Sequence, residues 1–225
     1  MPHSSSGFLL DEWRATNANH RTLFLPGQIN PAAMSATPRS IMPVTQLDPV
    51  AALIVIDLQK GITAIPPAQT SAEIVASSAE LARAFRERNL PVVLVNVTAG
   101  APGRVDTPRP KFAFPDDWAE LVPELRQQPS DHLVTKQRVG AFIGTNLQDY
   151  LQQHSVTQVF LTGIATSAGV ESTARSAADY GYNVVFVADA MTDRDPEIHR
   201  FCVEKVFPRI GEIDTTENVL KLLRS

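Results

Sequence analysis

Apolar residues along this chain gather into six short runs, and helical patterns lie between most of them. Residues 51–56 (AALIVI) have no polar interruption and are largely β-branched, as expected of a strand buried on both faces. Residues 91–97, 132–135, 159–162, 183–188 and 208–214 read as five further strands. Residues 72–88 place Ile74, Leu81 and Phe85 at helical spacing, with charges on the opposite face. Residues 118–125 read as a short helix stopped by the polar stretch QQPSD. A helix from Thr145 or Asn146 runs to Leu151. Residues 170–180 form a helix that Gly181 stops, and residues 195–207 and 216–223 form two more. Strands alternating with helices predict an α/β fold: a doubly wound, mainly parallel sheet flanked by helices on both faces.

Residues 1–48 break this rhythm. Pro26, Pro31, Pro38 and Pro43 punctuate them, and Phe8, Trp13 and Phe24 are scattered without a period. They read as an N-terminal arm lying across the domain or a neighbouring subunit, with a disordered tail as the plainer alternative. Residues 49–225 form the domain. A length of 225 residues suits one α/β domain plus such an arm. A net charge of −4 offers no basic field for nucleic acid or an anionic membrane. No apolar run approaches the ~20 residues needed to span a bilayer, and the N-terminus lacks the pattern of a secretory signal. The single cysteine, Cys202, excludes an internal disulfide and fits a reducing cytoplasm. The five histidines are scattered without ligand spacing, so neither a metal nor a cofactor is expected.

Ligands in open α/β sheets bind where strands end and helices begin. Residues 158–193 form one strand–turn–helix–strand unit, so the turn at 163–169 is the first place to look. Asp57 closes the strand 51–56; a lone acid there is either a helix cap or a catalytic group. Lys136 follows the strand 132–135. A lysine beside an aspartate in a cleft lowers the carboxylate's proton affinity while burial raises it, which suits proton exchange near neutral pH. The plainer alternative is a structural ion pair. Arg138 and Thr145 are candidates for substrate contact or for holding the Lys136 loop. The loop 98–115, with Arg104, Arg109 and Lys111, reads either as a cover for an anionic substrate or as a solvated surface.

The stretches GIATSAGVESTARSA, VIDLQKG, TKQRVGAFIGTNL and FPRIGEIDTTENVL together carry a resemblance to the isochorismatase-like (cysteine hydrolase) superfamily, over about residues 50–224. The resemblance implies a three-layer α/β/α hydrolase in which Asp57 handles a proton, Lys136 poises it, and a cysteine attacks the substrate. That cysteine position is filled by Gly169. Ala165, Thr166, Ser167, Gln59, Arg138 and Phe142 fall on positions implied to bind substrate or an oxyanion, and the peptide before Ala165 is commonly cis in the family. Ser167 and Ser172 are nearby hydroxyls, but neither falls on the nucleophile position, and Cys202 lies in a later helix. Isochorismatases proper also carry Gly there and hydrolyse a vinyl ether through the Asp, without a covalent nucleophile. They have bulkier, His-containing residues where this chain has Ala165, Thr166 and Ser167, which points away from isochorismate itself. The expectation is a Cys-independent hydrolase of a small, anionic metabolite, forming a dimer or tetramer. Two alternatives stay open: a non-catalytic relative that binds a metabolite or partner, and a Cys amidase-type hydrolase whose nucleophile has been substituted.

Overall fold

The computed structural model describes residues 44–66, 68–106 and 114–225. Six parallel strands form one sheet in the order β3-β2-β1-β4-β5-β6: β1 Ala51–Ile56, β2 Val92–Val97, β3 His132–Lys136, β4 Gln158–Ile164, β5 Asn183–Thr192 and β6 Glu212–Asp214. The order reverses between β1 and β4, so their carboxyl ends flank the crevice where such sheets bind ligands. Among the described residues, and apart from the single turn Lys60–Thr63, five helices flank the sheet: α1 Ala68–Glu87, α2 Leu147–Gln153, α3 Glu171–Asp179, α4 Pro196–Phe201 and α5 Thr216–Arg224.

The pleat of β1 shows why the chain layers this way. Ala51, Leu53 and Val55 join a cluster with Phe85 of α1 and Val219 and Leu223 of α5. Ala52, Ile54 and Ile56 join a second cluster with Leu147 and Leu151 of α2 and Ala174 and Ala177 of α3. Every residue of β1 is fully buried, so the continuous apolar run is what a central strand with helices on both sides requires. Among the described residues, no helix is long and apolar enough to cross a membrane.

The sheet is drawn tight where β4 meets β1. Gly163, paired with Ile56, has φ +118°, and a Cβ there would lie 2.0 Å from the Ile56 carbonyl oxygen. The ladder between β4 and β5 also shifts register between Leu161 and Gly163. Only glycine fits this backbone. Gly163→Ala is expected to lower stability by at least about 3 kcal/mol, from combined backbone strain and overlap. Urea unfolding checks this, and an unchanged midpoint would show that β4 can step back from β1.

Several elements differ from their sequence reading. Residues 118–125 are not a helix. Residues 116–120 instead form turns, and Leu121 makes a single antiparallel bridge to Gln59, with Lys60 N–H donating to the Glu120 carbonyl, Gly61 N–H to the Trp118 carbonyl and Val122 N–H to the Leu58 carbonyl. One tight turn, Pro123–Leu125, follows. Pro123 lacks the N–H that a continuing helix needs, and the partners that win are distant in sequence. The final strand is only Glu212–Asp214, because Pro208 cannot donate to a ladder and Phe207–Arg209 coils into a tight turn. The helix expected over 195–207 is regular only over Pro196–Phe201 and widens through Cys202–Val206. The strand expected to end at 188 continues to Thr192. The proline-rich stretch lies outside the described residues as far as position 43. Its last residues are bonded into the domain: Val44 N–H donates to Asp214 Oδ2 at 2.7 Å, and Asp48 accepts from the Thr157 hydroxyl at 2.7 Å.

Candidate active site

Asp57 is the first residue past β1, and its backbone is left-handed at φ 54°. Aspartate tolerates that region better than most side chains, yet a non-glycine residue held there directly after a strand marks a place to look for function. Its N–H donates to the Val95 carbonyl at 2.9 Å, which fixes the turn against β2. Lys136 ends β3, and its ammonium lies 2.7 Å from Asp57 Oδ2. It also donates to the Val139 carbonyl at 2.6 Å. Both side chains are buried, and Asp57 Oδ1 has no hydrogen-bond partner among the described residues. A buried acceptor without a partner is costly in a purely structural ion pair.

Burial pushes the Asp57 carboxyl up to about 6 from its ordinary 3.8, and the Lys136 ammonium only partly opposes this. The folded protein therefore holds this proton more tightly than the unfolded chain. The group's contribution to stability is full below about pH 4 and is lost as pH rises through about 6.

The third component is the turn after β4. The Ile164–Ala165 peptide is cis. Residues Thr166–Val170 form a widened helical turn in which the Ala165 carbonyl accepts from the N–H groups of Ala168 and Val170. Gly169 faces the ion pair directly. A Cβ at this position would lie 3.2 Å from Asp57 Oδ2, 3.2 Å from Lys136 Nζ and 3.0 Å from Ile56 Cγ2. The Gly169 carbonyl accepts from the Thr173 hydroxyl at 2.6 Å, and that hydroxyl accepts from Ala141 N–H at 3.0 Å. The turn is thereby tied to the loop after Lys136.

A cavity of about 340 Å³ opens over this group. Six residues named from the sequence line it: Asp57, Lys136, Arg138, Ala165, Ser167 and Gly169. The other three do not. Gln59 is fully buried, with its amide committed to the backbone: Nε2 donates to the carbonyls of Val97 and Trp118, and Oε1 accepts from Val97 N–H at 2.7 Å. It clamps the end of β2 to the 118 segment rather than facing the cavity. Phe142 packs against Tyr180 and Tyr182 in the α2–α3 layer. The Thr166 hydroxyl is buried 2.8 Å from His199 Nδ1. Thr145 donates to the Ala141 carbonyl and accepts from Leu147 N–H, so it caps α2. Ser172 sits against Gly140. Cys202 is buried, and that burial pushes its thiol up to about 11.

The loop 98–115 contributes Ala99 and Gly100 to the cavity wall. Arg104 is exposed and is not among the lining residues, while Arg109 and Lys111 lie outside the described residues. Sequence reasoning missed Asp193 and Arg194, which also line the cavity just past β5. The strand-end rule that singled out Asp57 applies equally to Asp193, once β5 is known to run to Thr192. Among the described residues, no group of three or more His, Cys, Asp or Glu side chains is gathered to hold a metal ion.

The chain is 41% identical over 180 residues to an uncharacterized isochorismatase family protein, YwoC, of Bacillus subtilis (strain 168), covering 77% of this chain and 94% of the relative. It is 30% identical over 228 residues to the ureidoacrylate amidohydrolase RutB of Variovorax paradoxus (strain S110), covering 88% and 89% respectively. The structure of an isochorismatase family protein from Burkholderia thailandensis superposes with a TM-score of 0.77 at 40% identity, covering 83% of this chain and all of that one. The isochorismatase domain model matches residues 51–218, from the first residue of β1 into α5. Sheet order and sequence similarity agree that the chain belongs to the isochorismatase family of hydrolases.

Proposed function

We propose that this chain hydrolyses a small anionic metabolite without a thiol nucleophile, using Asp57 as general acid and base and Lys136 as its partner. The observation that carries this reading is the position of Gly169, whose Cα faces both ends of a buried ion pair and brings no nucleophilic atom to it. Neither nearby serine supplies one, since Ser167 Oγ donates to Asp193 and Ser172 sits against Gly140. Asp57 Oδ1, without a hydrogen-bond partner among the described residues, is the oxygen suited to carry the working proton.

The chemistry that needs no covalent intermediate is hydrolysis of an enol ether. The Asp57 carboxylic acid gives its proton to the terminal carbon of the double bond, and the ether carbon becomes an oxocarbenium ion. Water adds to that carbon, and the Asp57 carboxylate takes a proton back from the water. The resulting hemiketal collapses to a carbonyl compound and an alcohol. Lys136 stabilises the carboxylate in the interval between the two proton transfers. The backbone N–H groups of Ala165 and Gly169 are suited to orient a substrate or water oxygen. Arg138 and Arg194 at the cavity wall favour a substrate bearing negative charge.

A second reading, C–N hydrolysis through a thiol introduced at residue 169, is favoured by one distance. A Cβ there meets the carboxylate and the ammonium equally, at 3.2 Å. A relative named as an amidohydrolase gives that chemistry a precedent. One screen separates the readings: turnover of isochorismate, simple vinyl ethers and small amides by this protein and by Gly169→Cys. The expected result is vinyl-ether turnover by the parent, with amide turnover only in the variant. Amide turnover by the parent would overturn the proposal. Tight ligand binding with no turnover of any compound would favour a binding relative.

A further inference from the structure

The residue just past β5 is built into the site more firmly than any substrate contact would need. Asp193 is buried, and its carboxylate accepts three hydrogen bonds. Oδ2 accepts both the backbone N–H and the hydroxyl of Ser167, each at 2.8 Å. Oδ1 accepts the N–H of Arg194 at 2.8 Å. Hydrogen bonds to a charged acceptor are the strong ones, and two from one residue fix its orientation as well as its position. Ser167 lies two residues before Gly169 in the same widened turn. On the adjacent residue, Thr166, the side chain is held separately by His199.

This placement extends the pairing of the two strand ends beyond the sheet. The β4–β5 register shifts between Leu161 and Gly163 and then resumes, with Gly163 against Met191 and Ile164 against Thr192, the last residues of the two strands. One residue past that last pair, the Asp193–Ser167 bonds carry the connection from the end of β5 into the turn after β4. We propose that Asp193 is a positioning residue: by gripping Ser167 it holds Gly169 and the turn's backbone against the Asp57–Lys136 pair. This rests on the reading of that turn as the reacting cradle, but it can be tested without any hydrolytic assay.

The test uses Gly169→Cys as a reporter, because a thiol at that position would sit against Asp57 and Lys136, and its alkylation rate reads how well the turn holds it there. Cys202 is buried with a raised thiol pKa, and alkylation of the parent protein measures its background. Adding Asp193→Ala to the reporter should slow alkylation by iodoacetamide about tenfold, as expected for loss of charge-assisted hydrogen bonds. Adding Ser167→Ala should slow it less, because the backbone N–H bond to Asp193 stays. Combining the two should be no worse than Asp193→Ala alone.

The sign of the effect decides the matter. If Asp193 acted only through its charge, removing a negative group near a thiolate would speed alkylation. A faster or unchanged rate in a variant with native circular dichroism therefore overturns the proposal, whatever turnover shows. Should Asp193→Ala fail to fold, Asp193→Asn keeps the size and one acceptor oxygen. It should then give a smaller slowing, and equality with the reporter overturns the proposal. Absence of hydrolysis by the parent, with alkylation slowed as expected, would remove the proposed function and leave the role of Asp193 standing.

Discussion

Asp57→Asn should lower turnover by about three orders of magnitude, the scale of a lost general acid, while leaving the fold in place. Asparagine keeps the shape of the side chain and offers Lys136 a carbonyl oxygen, so the ammonium retains an acceptor beside the Val139 carbonyl. The parent protein should show a matching pH dependence. With the Asp57 pKa raised to about 6, the rate of a reaction that starts from the carboxylic acid is level at lower pH and falls as pH rises through that value. In Asp57→Asn the residual rate should lose this limb. Steady-state kinetics across pH 4–9 on both proteins make the check, and a variant that keeps most of the parent's rate would remove Asp57 from the chemistry.

Lys136→Met should produce the largest pH-dependent change in stability. Breaking a buried ion pair on one side typically costs ~3–5 kcal/mol, but an aspartate whose partner is gone can take up a proton instead. Lys136 is among the causes that lower the Asp57 pKa, so its removal leaves desolvation unopposed and moves that pKa above about 6. Near pH 5, where the carboxyl is mostly protonated in both proteins, the variant should match the parent or exceed it. Near pH 8, where the parent holds an ion pair and the variant must bury a lone carboxylate or keep it protonated, the variant should be less stable. Urea denaturation at the two pH values tests this, and a pH-independent difference would contradict the coupling. The alkaline limb of any remaining activity should move upward with the Asp57 pKa.

The parts of this protein that were readable from its sequence are those governed by local pattern. β1, with no polar interruption, could only be a central strand. Asp57 and Lys136 stood out because each is a charged residue at the end of an apolar run. What stayed hidden depends on contacts between distant segments. The stretch 118–125 has helical composition, but the Leu58 carbonyl and the Gln59 amide hold it in turns against residues 58–61 that no local propensity reveals. The same commitment explains why Gln59, beside the acid, does not face the cavity. Phe142 sits in a motif near Lys136, yet its ring found two tyrosines from the helix side. Asp193 was passed over because β5 was read four residues short, which placed Asp193 in a loop rather than at a strand end.

The two glycines that bracket the turn after β4 divide its duties in a way that matters for how such a protein can change. At Gly163 the neighbouring atoms are backbone, and a methyl group has nowhere to go. At Gly169 the neighbours are the tips of side chains, and a methyl group needs them to yield only a few tenths of an ångström. One position therefore bears on the stability of the sheet, and the other on what can stand beside the Asp57–Lys136 pair. On the function proposed above, a single substitution at residue 169 would set a thiol beside Asp57 and Lys136, with the Ile56 side chain of β1 yielding slightly to admit it.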